Sequence, residues 1–242
     1  MKITKQTQNF ALNRHKTFCV GFVFLFSVGF VLLPLTIKAA SPQFLTSWQA
    51  DSYTPSWYQG KIFPTRGSLI NVSFELIDNN KIINLSRNKI RWYINDKLFK
   101  NEDSGLGIKS LKFINNNPPG SDVEIKIAIV DYGANPLYKI IHIQIVMPEA
   151  IIDAPYPERK TSTGENSFRV FPFFFNIKDL NELSFEWLAN EQTAGIAENP
   201  QELSLNIDTQ TPSGIAINLK VIIKNITDQF EFASKNIKLE IK

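Results

Sequence analysis

The 242 residues are 43% hydrophobic and 20% charged, ordinary values for globular protein, which excludes a disordered or collagen-like chain and leaves room for one or two domains. The net charge of +3 is concentrated at one end: residues 1 to 38 hold Lys2, Lys5, Arg14, Lys16 and Lys38 with no acid, leaving 21 basic and 23 acidic side chains for the remainder. That remainder, at about −2, has no basic stripe to displace counterions from phosphates, so nucleic acid is excluded as a partner.

Residues 1–16 read as a basic cytoplasmic segment ending in Arg14, His15 and Lys16. Residues 17–37, "TFCVGFVFLFSVGFVLLPLTI", form an uncharged run of 21 residues. As a helix the run would span about 30 Å, enough to cross a bilayer. The positive cluster before it orients everything after Lys38 outward. The expected location is therefore the bacterial cell envelope, on the outer side of the cytoplasmic membrane. Two fates stay open. The helix is retained as an anchor, which its length and Lys38 favour, or it is cleaved near Ala39–Ala40 as a secretory signal.

Cys19 is the only cysteine, so the exported part has no disulfide and must be held by an apolar core. Sequons occur at Asn71, Asn84 and Asn225. In an Asn- and Ser-rich bacterial chain these arise by chance.

From residue 42 onward the chain alternates apolar and polar residues in short pieces, "LINVSFELI", "KIRWYIN", "IKSLKF", "VEIKIAIV" and "KIIHIQIV", separated by Asn, Asp, Gly and Pro. These predict strands, and the fold class is all-β. The pieces repeat. "IRWYINDKLF" at Ile90 matches "FEWLANEQTA" at Phe185, setting Trp92 and Trp187 95 residues apart. At a spacing of 94, Leu111 and Phe113 correspond to Leu205 and Ile207, Ile125, Ile127 and Ile129 to Leu219, Val221 and Ile223, and Ile143 and Ile145 to Ile237 and Leu239. A period of this size fits one β-sandwich per repeat. Residues 42–147 and 148–242 are thus expected to form two tandem Ig-like or PKD-like sandwiches. The proline-bearing "VMPEAIIDAPYP" would be the stiff link between them, and Trp92 and Trp187 would fill the two cores.

"TSWQADSYTPSWYQGKIFPTRGSLINVSF", "RWYINDKLF" with "SGLGIKSLKF", and "FFFNIKDLNELSFEWLANEQ" together resemble a group of uncharacterised exported proteins of candidate-phylum (Patescibacteria-type) bacteria with tandem Ig-like or PKD-like domains. The resemblance covers the whole exported chain. It implies a surface protein acting as a spacer, an adhesion element or a part of a pilus-like assembly, with other envelope proteins or cell-surface glycan as partners.

One loop stands out. "SWYQGKIFPTRG", Ser56 to Gly67, carries Trp57, Tyr58, Lys61, Phe63 and Arg66. With Trp48 nearby, Trp57 and Tyr58 would make a platform for a sugar ring, with Lys61 and Arg66 at its rim. Alternatively the loop is a crossover whose Trp57 and Phe63 plug one end of the first sandwich. "FRVFPFFFNI" poses a parallel choice, since Pro172 cannot donate to a ladder and some of Phe173, Phe174 and Phe175 must leave their own core, for the interdomain link or for a partner.

Catalysis finds little support. His142 is the one exported histidine, set within a strand, and no nucleophile with an orienting acid accompanies it. "SGLGIKS" lacks the spacing of a phosphate loop, and Asp78, Asp103, Asp131 and Asp153 lack calcium-loop spacing. No cofactor and no metal is expected.

Overall fold

The computed structural model describes residues 41–154, 159–195 and 198–242. The expected N-terminal helix and possible cleavage site therefore lie outside the described residues, as do Pro155 and Pro157. Among the described residues no helix is long and apolar enough to cross a membrane.

The described chain is all-β, with two three-residue 3-10 turns as its only helical pieces. Alternating burial marks the longer strands. In β2 (Leu69–Asp78), Ile70, Val72, Phe74 and Leu76 point inward while the residues between them face out. β2 pairs antiparallel with β1 (Gln43–Ala50) on one side, and with β3 (Lys81–Ile82) and β6 (Ser110–Ile114) on the other. The facing sheet runs in the order β5 (Lys97–Lys100), β4 (Ile90–Ile94), β7 (Asp122–Ile129), β8 (Leu137–Gln144). Between the two sheets lies a core built on Trp92, Phe74, Leu111, Ile125 and Ile127.

The plan then recurs. β9 (Glu149–Asp153), β11 (Gly164–Phe173) and β14 (Glu202–Ile207) form one sheet, in the order β14-β11-β9. β10 (Lys160–Thr161), β12 (Leu183–Ala189), β13 (Gln192–Thr193), β15 (Ala216–Asn225) and β16 (Phe232–Ile241) form the other, in the order β10-β16-β15-β12-β13. Their core holds Trp187, Phe168, Phe175, Leu219 and Val221.

The duplication extends to single hydrogen bonds. Trp92 Nε1 donates to the Ile108 carbonyl at 2.8 Å and Trp187 Nε1 to that of Pro200 at 3.3 Å, so each buried indole satisfies its one donor in the same way. The turns after these strands put Asn95 and Asp96 at φ 48° and 60°, and Asn190 and Glu191 at 49° and 67°. This is the two-residue turn whose twist suits a hairpin. Each leading Asn then exchanges a pair of bonds with the next long strand: Asn95 with Glu124, and Asn190 with Asn218.

The segment expected as a link is mostly strand. "EAIID" is β9, paired along its whole length with β11, so only Ile145, Val146, Met147 and Pro148 connect β8 to the second sandwich. Pro148 lies within this connection, and a contact from further up the chain also joins the two sandwiches.

Candidate functional site

In both sandwiches the chain leaves the first strand of one sheet and crosses to the last strand of the other before re-entering. In the second, β10 makes this crossing and Thr161 accepts a bond from Lys242 N at 2.9 Å. In the first, Pro64 accepts the matching bond from Val146 N at 3.0 Å. The first crossover is longer, residues 51–68, and contains the aromatic loop. Its extra length reaches the second sandwich. Tyr53 N donates to the Phe175 carbonyl at 2.6 Å, and Phe174 N to that of Tyr53 at 2.7 Å, a two-bond antiparallel bridge.

Around this bridge the rings of the two sandwiches form a continuous series. Trp48 lies 6.2 Å from Phe63, Phe63 5.8 Å from Phe174, and Phe174 6.3 Å from Tyr58. Tyr58 is 5.2 Å from Phe173, Phe173 5.9 Å from Trp57, and Trp57 5.3 Å from Phe171. Most of these contacts are edge-to-face, the arrangement favoured by the ring quadrupole. Each end carries a cation. Lys61 Nζ stands 3.6 Å from the Trp48 ring centre and donates to the Trp48 carbonyl, and Arg169 lies 5.9 Å from Phe171. Burial lowers the Lys61 pKa.

Phe174 holds the middle at φ 61°, a left-handed conformation that a bulky residue adopts only when its surroundings fix it. This resolves the three consecutive phenylalanines. Phe175 enters the second core, while Phe173 and Phe174 turn to the crossover.

Neither sequence expectation for the loop describes it fully. Phe63 and Tyr58 are half-buried, and Trp57 does not plug the first sandwich: it packs on Phe171 and Phe173 of the second. Trp57 nevertheless remains 58% exposed, beside an open cleft of about 650 Å³ that Ile151, Phe171, Arg159 and Lys235 also line. Trp48 and Lys61 pair with each other at the far end of the ring series. Arg66 is separate, exposed on a hollow with Met147, Phe230 and Glu231.

Glu231 is the residue that sequence reasoning missed. It is buried in the short turn between β15 and β16, where it accepts bonds from the Asn176 amide at 2.7 Å and from Asn225 Nδ2 at 2.6 Å. Burial pushes its pKa up and the nearby Asp228 adds to the rise, while donation from Asn225 and the Asn176 amide works against it. Thr65 of the first crossover lines the same hollow as Glu231 of the second sandwich, so a buried carboxyl sits at the joint. Nothing in the local pattern "DQFEF" marks it.

Among the described residues no group of three His, Cys, Asp or Glu side chains could hold a metal ion. His142 is exposed on β8. Asp131 and Asp78 have structural partners: Asp131 accepts from the Lys89 amide and Asn88, and Asp78 from the Tyr132 hydroxyl. Of the three sequons, Asn225 is buried and Asn71 half-buried, while Asn84 is exposed and braces a turn by accepting from Ser86 N.

No protein-family model matches the chain, and no curated protein matches it. Solved structures resemble it at low identity. The three N-terminal domains of the bacteriophage RB49 Highly Immunogenic Outer Capsid protein share 11% identity at a TM-score of 0.40, with 82% of this chain and 59% of that one covered. The Ig1-2 module of the Drosophila receptor protein tyrosine phosphatase DLAR shares 11% at 0.26, covering 83% and 98%. Immunoglobulin domains 1-4 of Sidekick-1 share 10% at 0.27, covering 84% and 70%. The chain thus spans about three fifths of the capsid-protein fragment. The all-β architecture is read from the strands themselves, and likenesses at this overlap and identity add nothing to it.

Proposed function

We propose that the protein is a non-catalytic component of the cell envelope, in which two Ig-like sandwiches act as one stiff unit outside the cytoplasmic membrane, serving surface structure, adhesion or assembly. The observation that carries this reading is the joint. A crossover from one sandwich is hydrogen-bonded and ring-packed onto the other, and a phenylalanine is held at positive φ to make the contact. Two modules free to swing about a four-residue connection would need none of this. The uncharged run at residues 17–37 and the positive cluster before it support the outward orientation.

Labelling in a bacterial host tests the location. With Cys19 replaced by serine and a cysteine placed at the exposed Asp96, a membrane-impermeant maleimide should label intact cells. Labelling only after lysis would refute an external position.

A second reading rests on Trp57. Its exposure beside the cleft suits stacking against a sugar, with Arg159 and Lys235 at the margin. Retention of the protein on cell-wall glycan, lost in Trp57→Ala while the joint stays intact, would support it; equal retention of both proteins would remove it.

A further inference from the structure

The first sandwich has an open side whose apolar residues the second does not match. β5 and β6 are the edges of opposing sheets, and between them runs a groove of about 330 Å³ lined by Ile94, Lys97, Leu98, Phe99, Phe113 and Ile114. Leu98, Phe99 and Ile114 are 52%, 50% and 61% exposed. At the matching repeat positions the second sandwich carries Thr193, Ala194 and Asp208. The fold therefore does not require apolar residues here. The β6 edge also offers unused backbone. Lys109 and Asn115 bond toward β2, so by the alternation of an antiparallel ladder Ser110, Lys112 and Ile114 point their N–H and C=O groups outward.

β9 presents the complement. It is the other open edge of interest, paired only with β11. Val170 N bonds toward β14, so Arg169, Phe171 and Phe173 bond to Asp153, Ile151 and Glu149, leaving Ala150 and Ile152 with outward backbone groups. Its exposed side chains run acid, apolar, acid: Glu149, Ile151 and Asp153, with Ile151 45% exposed. Arg169, opposite Asp153 in the ladder, is engaged by Glu202 at 2.8 Å.

We infer that the groove receives strand β9 from a second copy of the chain, so that copies join head to tail. In an antiparallel pairing, backbone parity sets the face that each side chain takes. When Ala150 and Ile152 bond to the outward groups of β6, the residues between them fall on the face of Leu111 and Phe113. Ile151 then enters the groove against Phe99, Glu149 lies toward the Lys97 end and Asp153 toward the Lys100 end. Charge selects this pairing over the alternatives: β6 against itself opposes Lys112 to Lys112, and β9 against itself opposes Glu149 to Asp153. A contact between two different patches propagates head to tail, generating a ring or an open series according to the rotation between copies. The inference rests on the stiff-unit reading, because a series of hinged units would not propagate a direction.

Cross-linking tests it with the full chain in detergent micelles, Cys19 replaced by serine. Copies carrying Phe99→Cys are mixed with copies carrying Ile151→Cys under mild oxidation. A disulfide-linked dimer should form in the mixture and in neither protein alone. Glu149→Lys in the Ile151→Cys copy should lower the yield by about fivefold, and Lys97→Glu in the Phe99→Cys copy should restore it. No dimer on mixing, equal dimer from either protein alone, or a charge reversal without rescue would overturn the inference. Failure here leaves the joint itself standing, since its rigidity is read separately, from spin-label distances across one copy.

Discussion

Phe174→Ala removes the central ring of the joint while leaving the short covalent connection and both cores in place. Phe174 meets Tyr58 and Phe63 of the first crossover edge-to-face, and such pairs contribute about 0.5–1.5 kcal/mol each, so the joint loses about 1–3 kcal/mol. An alanine also keeps the left-handed backbone at φ 61°, which costs about 1–2 kcal/mol in any residue but glycine. Phe174→Gly should therefore be the milder change, by about 1 kcal/mol, although it removes the same ring. The assay is a pulsed spin–spin distance measurement between labels on Asp96 and Ser184, one on each sandwich, in a Cys19→Ser background. The wild type should give one narrow distribution and Phe174→Ala a broad one, with each sandwich still folded by circular dichroism. A narrow distribution that survives the substitution would refute the argument that these rings hold the sandwiches together.

Trp92→Ala and Trp187→Ala each empty the centre of one core and should cost about 3–5 kcal/mol, read as an early unfolding step of the affected sandwich in urea. Gly107→Ala should destabilise by at least about 1–2 kcal/mol in the same titration, because φ is +68° and an added Cβ would come within 2.6 Å of the Ser86 backbone. Glu231 gives a pH dependence of defined sign. Its folded-state pKa is raised, so its contribution is fully present below the ordinary carboxyl range and is lost as pH rises through the raised value. Glu231→Gln should flatten that part of the stability profile in denaturation curves taken from pH 4 to pH 7; an unchanged slope would show that Glu231 does not titrate there. The half-buried Arg91–Glu102 pair acts in the opposite sense. Its guanidinium holds the Glu102 carboxyl down to about 2, so this contribution fades only as pH falls toward that value, and Glu102→Gln should remove the fading.

The strands and the duplication were legible because both are written locally. A buried strand needs a side chain on every second position, and Trp92 and Trp187 with their trailing Asn turns keep their spacing in any sandwich of this size. β9 was harder, since "EAIID" is five residues between prolines and reads equally as a connector. The role of the Ser56–Gly67 loop was not legible at all. Its rings could have packed on their own sandwich, and what decides otherwise is the reach of a crossover to residues more than a hundred positions downstream. Glu231 was hidden for a similar reason, because burial by a distant turn leaves no trace in its neighbours.

The two crossovers differ in length, and that difference gives the duplicated chain an order. A protein with its halves exchanged would keep every strand and both tryptophan centres, yet the grasping loop would hang beyond its target and Phe173 and Phe174 would lie bare to water. The halves descend from one pattern but are no longer interchangeable, and the property that separates them is which one holds the other.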